Sequence, residues 1–252
     1  MKVTFVGAGP GDPELLTLKA LRLLRSCQCC IYAGSLVSPK VIAELPATAE
    51  LHDSSGMTLS QVIEVYRQAA KRGIDVIRLH SGDPSIYGAI NEQMCELDEM
   101  GIDYDMVPGV SSFQAAAAAL KTELTSPEVS QTMILTRCAG RTPLPADQEL
   151  DRLAQAHATL CIFLSVHRIK ELAETLVPHY GSDCPIAIVY RASWPEQKII
   201  RGTLTDIAEQ AAAEHVSRTA MIIVGRALQP AELVSRLYAS EFTHGYRKGS
   251  DQ

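Results

Sequence analysis

Gly7-Ala8-Gly9-Pro10-Gly11-Asp12-Pro13 follows the apolar run Lys2–Val6 and precedes Glu14–Arg25, where Leu15, Leu18, Leu21 and Leu24 recur at helical spacing. A strand, a glycine turn and a helix are therefore expected in that order. The arrangement returns twice. Val76–Leu79 runs into His80-Ser81-Gly82-Asp83-Pro84-Ser85-Ile86-Tyr87-Gly88, and Tyr104–Val107 runs into Pro108-Gly109-Val110-Ser111-Ser112-Phe113. Glycine loops at the C-terminal ends of three strands predict a mainly parallel sheet with helices packed against it. They also predict one crevice where the loops converge on a ligand.

Working outward, Cys29–Tyr32 reads as a further strand, and Ser60–Lys71, Ala89–Met100 (closed by Gly101) and Ser112–Leu120 read as helices. A second series follows. Its strands are Thr132–Thr136, Thr159–Leu164, Ile186–Tyr190, Lys198–Ile200 and Met221–Val224, and its helices lie near Asp151–Gln155, Ile169–Leu176 and Thr205–Glu214. Only the polar link Arg191–Gln197 separates two of these strands, which favours an antiparallel pair and a mixed second sheet. The expected fold is α/β, with two α/β/α domains. Residues 1–120 form the first, 121–130 a linker carrying Pro127, 131–228 the second, and 229–252 a tail with a short helix at Ala231–Tyr238.

The 252 residues include 23 Lys and Arg against 29 Asp and Glu, a net charge of −6, with 46% apolar residues. That is the composition of a folded chain able to bury a core without staples. The acidic balance argues against nucleic acid as a partner. No run approaches the roughly 20 apolar residues of a membrane span, and Met1–Val6 reads as a strand, not as a leader, so a cytoplasmic protein is expected. Seven scattered cysteines, an odd number, point to free thiols, and Cys29 and Cys30 read as core. The seven histidines form no i, i+4 pair, so no metal site is expected.

The loops exclude several ligand classes. A dinucleotide fingerprint needs its third glycine where Asp12 stands, and Tyr32-Ala33-Gly34-Ser35 lacks the acidic residue expected after the second strand. Phe5 and Val6 stand where the common methyltransferase loop has an acidic residue. No loop contains G-K-[ST], and the loops carry few basic residues, which disfavours a polyphosphate. A fused ring with hydroxyls and a zwitterionic tail fits better.

Gly7–Asp12, Ser81-Gly82-Asp83-Pro84 and Val107-Pro108-Gly109-Val110-Ser111 resemble, in order and spacing, the three signature loops of the tetrapyrrole methyltransferase family, the class III S-adenosylmethionine-dependent enzymes. The resemblance spans roughly Met1 to Leu228. Tyr32–Val37, Gly88–Met94, Thr136–Pro143 and Tyr190–Pro195 are most similar to members that methylate C-11 of a precorrin-4-type ring in cobalamin biosynthesis, with or without cobalt in the ring. The alternatives are another ring position, RNA or protein methylation on the same fold, or a non-catalytic small-molecule-binding module.

The resemblance implies a homodimer in which S-adenosylmethionine binds in a cleft between the two domains and leaves as S-adenosylhomocysteine. It places Pro10, Ser81, Gly82, Asp83, Ile86, Ser111, Ser112, Leu164, Arg191, Ala192, Thr219 and Ala220 at the cofactor. Asp83 also reads as a helix N-cap, since Pro84 follows it. A polycarboxylate ring needs a local basic trough in an acidic chain. Arg137 and Arg141 are its first candidates, then Arg191 and Lys198, with Met57 lining it or filling core. Relatives acting on uroporphyrinogen carry an acidic residue early in the stretch that here reads Tyr32-Ala33-Gly34-Ser35-Leu36-Val37-Ser38. No carboxylate stands there, and no catalytic residue is assigned.

Overall fold

The computed structural model describes residues 1–140, 142–229 and 239–249. Within them lie ten strands: β1 (Lys2–Gly7), β2 (Cys29–Tyr32), β3 (Glu50–Asp53), β4 (Val76–His80), β5 (Asp103–Val107), β6 (Met133–Arg137), β7 (Thr159–Phe163), β8 (Pro185–Tyr190), β9 (Lys198–Thr203) and β10 (Ala220–Val224). The helices are α1 (Leu18–Arg25), α2 (Pro39–Ile42), α3 (Leu59–Arg72), α4 (Asn91–Glu99), α5 (Ser112–Leu120), α6 (Leu150–Ala154), α7 (Ile169–Tyr180) and α8 (Ile207–Ala213). The chain divides into two compact units. One is Met1–Ala116 with Arg191–Gln197; the other is Ala117–Tyr190 with the chain from Lys198 onward. Lys121–Ser130, read as the linker, thus folds with the second unit. There Leu124 and Ser126 are buried, and the Leu124 carbonyl accepts from Thr159 Oγ1 at 2.8 Å.

In the first unit the sheet order is β3-β2-β4-β1-β5, every pair parallel. Strand alternation sends Val3, Phe5, Cys29 and Ile31 into one apolar cluster with α3, and Val6, Cys30, Ile77 and Leu79 into another with α1. The sheet is therefore covered on both faces, and Cys29 and Cys30 are core on opposite sides, as expected. Helix α3 runs from a Thr58/Gln61 capping box to Gly73 at φ 67°. The single helix expected over Glu14–Arg25 is interrupted. Asp12 caps a short 3-10 turn at Pro13–Leu15, and Thr17, accepting from the Ala20 N–H, starts α1 afresh. Helix α4 begins at Asn91, two residues later than expected, because Tyr87 and Ala89 hold φ of 54° and 48°.

In the second unit the order is β6-β7-β10-β8-β9, with β6–β7 parallel and the other pairs antiparallel. Ile186–Tyr190 and Lys198–Ile200 pair antiparallel, as the short link predicted. Residues of α6, α7 and α8 join alternate residues of the strands in one apolar cluster. The helix expected at Ala231–Tyr238 lies outside the described residues. Of the tail, 239–249 form turns closed by backbone hydrogen bonds between His244 and Arg247. Among the described residues, no helix is long and apolar enough to cross a membrane.

Candidate active site

The three glycine loops meet backbone to backbone. Gly9 and Gly82 exchange hydrogen bonds of 3.2 and 2.8 Å, and the Ala8 N–H donates to the His80 carbonyl at 2.7 Å. A Cβ on Gly7 would stand 2.6 Å from both Gly82 O and Gly109 Cα, and one on Gly109 would stand 2.9 Å from Gly7 Cα. No side chain fits at either position, so glycine is what allows β1, β4 and β5 to bring their loops into contact.

Asp83 locks the junction. Its Oδ1 accepts from the Ser85 N–H at 2.8 Å and from the Ser85 hydroxyl, and its Oδ2 accepts from the Gly109 N–H at 2.9 Å. Burial alone would raise this carboxyl's pKa, but the bonds from Ser85 and Gly109 outweigh it and hold the group below the usual carboxylate range. The expected helix cap is instead a tie between two loops, since no helix begins until Asn91. Beside it, Ser111 is buried and precedes α5, whose Gln114 side chain accepts from the Ser111 N–H at 2.9 Å. Ser112 opens that helix. Ile86 is half-buried, its N–H bonded to the Asp83 carbonyl at 3.2 Å.

The segment Arg191–Gln197, read from the sequence as a polar link that also carries the expected cofactor contacts Arg191 and Ala192, packs on the first loop. Trp194 Nε1 donates to the Pro10 carbonyl at 2.7 Å, and the Asp12 N–H donates to Ser193 Oγ at 3.0 Å. Arg191 lies 4.9 Å over the indole and 3.5 Å from the Glu196 carboxylate, and Ala192 is buried. Arg191 and Ser193 hold φ of 45° and 70°. The structure thus brings together the expected Pro10, Ser81–Asp83, Ile86, Ser111, Ser112, Arg191 and Ala192 in the first unit.

In the second unit, Leu164 follows β7, and Ala220 opens β10. β7 and β10 pair antiparallel, Ile222 opposite Ile162, so Leu164 and Ala220 lie at the same end of the sheet. Leu164 and Thr219 both adopt left-handed backbone, φ 56° and 53°, and Leu164 is 60% exposed. A large apolar side chain that is both strained and open is a candidate contact surface.

The expected basic trough fares differently. Arg137 turns back on its own loop, donating to the carbonyls of Cys138 (3.3 Å), Thr142 (3.2 Å) and Pro143 (2.9 Å). It braces that loop, a role the sequence reading missed. Arg141 lies outside the described residues. Lys198 is paired with Glu214 at 2.9 Å. Met57 packs against the first-unit core, the plainer of its two readings. Sequence reading also gave no role to Arg78, His80 or Trp194. For the first two the signal was present: a cation and an imidazole inside the otherwise apolar run Val76–His80.

The family model for tetrapyrrole (corrin/porphyrin) methylases matches residues 2–208. Precorrin-4 C(11)-methyltransferase of Pseudomonas aeruginosa is 50% identical over 250 residues, 99% of this chain and all of that protein. The X-ray structure of a cobalamin biosynthetic enzyme, cobalt-precorrin-4 methyltransferase, superposes with a TM-score of 0.88 at 42% identity, covering 91% of this chain and 96% of that one. A uroporphyrin-III C-methyltransferase from Thermus thermophilus, solved with S-adenosylhomocysteine, gives 0.77 at 30% identity over 90% of this chain and 99% of its own. The glycine-loop junction and a family match spanning most of the sequence agree, and the chain belongs to the tetrapyrrole (corrin/porphyrin) methylase family.

Proposed function

We propose that this protein transfers a methyl group from S-adenosylmethionine to C-11 of a precorrin-4-type tetrapyrrole in cobalamin biosynthesis. The observation that carries the reading is likeness over the whole chain, 50% identity from end to end with a precorrin-4 C(11)-methyltransferase. The residues present fit the cofactor. Three loops free of Lys and Arg meet at Gly7, Gly82 and Gly109, beside Pro10, Ser81 and Ser111. Such a surface suits an adenosine with a zwitterionic tail, not a polyphosphate.

When bound, the cofactor supplies an electrophilic methyl on a sulfonium. The protein's task is then to orient a carbon nucleophile in line with it, and orientation alone contributes about 7–11 kcal/mol. Pro10, Gly82 and Ser111 hold the cofactor from the first unit, with Asp83 acting through the loop contact it makes to Gly109. Trp194 fixes the carbonyl of Pro10 and so the position of the first loop.

Incubation with methyl-labelled S-adenosylmethionine and precorrin-4, followed by NMR of the product, tests the reading. Label on C-11 supports it; label on another ring carbon replaces the regiochemistry and keeps the enzyme class. Cobalt-precorrin-4 as a parallel substrate decides whether the ring carries metal.

A further inference from the structure

Strand β4 is buried along its whole length, and alternation puts Arg78 and His80 on the same side of it. Arg78 is 8% exposed and His80 7%. Arg78 Nε donates to Gln93 Oε1 at 3.1 Å, and its Nη1 donates to the Ile31 carbonyl at 3.3 Å and to Ser54 Oγ at 3.1 Å. Gln93 is itself fixed, accepting from the Tyr66 hydroxyl at 2.9 Å and donating to the Ala89 carbonyl at 2.8 Å. Every one of these acceptors is neutral. Among the described residues no carboxylate pairs with Arg78, and Nη2 donates to no protein atom and keeps a solvent-accessible edge. A largely buried guanidinium without a counter-charge is costly, and this one is held in place by three elements.

His80 carries the second unmet demand. Its Nε2 is buried and has no hydrogen-bond partner among the described residues. Burial first, and then the charge of Arg78, push the imidazole down to about 3, so it is neutral at any working pH. A water molecule could satisfy His80 but would leave the charge of Arg78 uncompensated. One anionic oxygen acceptor answers both.

We propose that Arg78 Nη2 and His80 Nε2 together take one carboxylate of the substrate, the guanidinium supplying charge and the imidazole a neutral N–H. The two residues are separated by about 6.6 Å of strand, at the strand end from which Ser81–Asp83 departs. A pendant acetate or propionate ends in a planar carboxylate whose two oxygens can accept one hydrogen bond from each donor. The assignment rests on the polycarboxylate reading given above and adds to it a specific pair of residues that anchors one arm.

The test is equilibrium binding of uroporphyrin, a fluorescent octacarboxylate macrocycle, to the wild type and to Arg78→Lys, His80→Leu and His80→Gln. Calorimetry with S-adenosylhomocysteine on each variant reports whether the glycine loops remain intact. Arg78→Lys and His80→Leu should weaken uroporphyrin binding by about 10- to 100-fold, the range for a lost charge-assisted hydrogen bond. His80→Gln, which restores a donor, should recover most of the loss, and S-adenosylhomocysteine affinity should stay within about twofold. Equal uroporphyrin affinity in wild type and variants, including no binding by any, overturns the proposal. So does a parallel loss of S-adenosylhomocysteine binding, which would mark Arg78 as purely structural. A wild type that binds uroporphyrin through this pair but does not methylate precorrin-4 would sink the functional reading and leave the anchor standing.

Discussion

Gly11→Ala probes the contact between Trp194 and the first glycine loop. A Cβ at residue 11 would lie 2.9 Å from Trp194 Cε2 and closer still to Nε1, where ordinary carbon contacts begin near 3.5 Å. The indole must retreat, and its 2.7 Å bond to the Pro10 carbonyl breaks. Gly11 also sits at φ 150°, which Ala adopts poorly. Overpacking costs about 1–3 kcal/mol, a lost hydrogen bond about 1 kcal/mol, and the backbone about 1–2 kcal/mol. The total is about 3–6 kcal/mol, a fall in Tm of about 6–24 °C at about 2–4 °C per kcal/mol for a chain of this size. Trp194 is the single tryptophan of the chain, so its emission should shift to the red as the half-buried ring is displaced. The decisive measurement is a double-mutant cycle. In a Trp194→Ala background, Gly11→Ala should cost only the backbone share. If the substitution costs the same with and without the indole, the steric argument is wrong.

Three further outcomes follow from the same geometry. Asp83 has a depressed folded pKa, so its contribution is present above the unfolded value of about 3.9 and is lost as pH falls through the lower folded value. Asp83→Asn should therefore flatten the acid limb of a stability–pH curve below about pH 4, and an unchanged limb would contradict the tie to Gly109. Leu164→Gly relieves a left-handed residue and should stabilise the fold by a few tenths to about 1 kcal/mol in chemical denaturation, while weakening S-adenosylmethionine binding in calorimetry. Of the seven thiols only Cys95 is exposed and Cys138 is intermediate, with burial raising its pKa. A disulfide-exchange reagent should thus find one fast-reacting thiol at pH 7, abolished in Cys95→Ser.

Local sequence carried much of this protein. The period-two and period-3.6 patterns located every described strand except β3, and most helices, because burial on a sheet or helix face imposes those spacings wherever the chain runs. The three glycine loops were legible for a like reason: Gly7 and Gly109 stand where no Cβ fits, and Gly82 holds a φ of 62° that glycine adopts freely. Even the short link Arg191–Gln197 announced an antiparallel pair, since two strands that close in sequence have no length for a crossover.

What the sequence left open depended on partners far away in the chain. The helix expected over Glu14–Arg25 breaks because Asp12 and Thr17 cap it twice, a competition that leucine spacing alone does not register. Asp83 read as a helix cap or a ligand group, and only the fold brought the Gly109 N–H, 26 residues on, to its carboxylate. Trp194 lay in a polar link, yet its indole is bonded to a carbonyl 184 residues earlier. Arg78 and His80 were two polar letters in an apolar strand until burial showed one to be a cation without a counter-charge and the other an imidazole nitrogen without a partner. Periodicity and glycine are local properties and can be read along the chain. Charge compensation and hydrogen-bond satisfaction are properties of neighbourhoods, and tertiary structure alone assembles those.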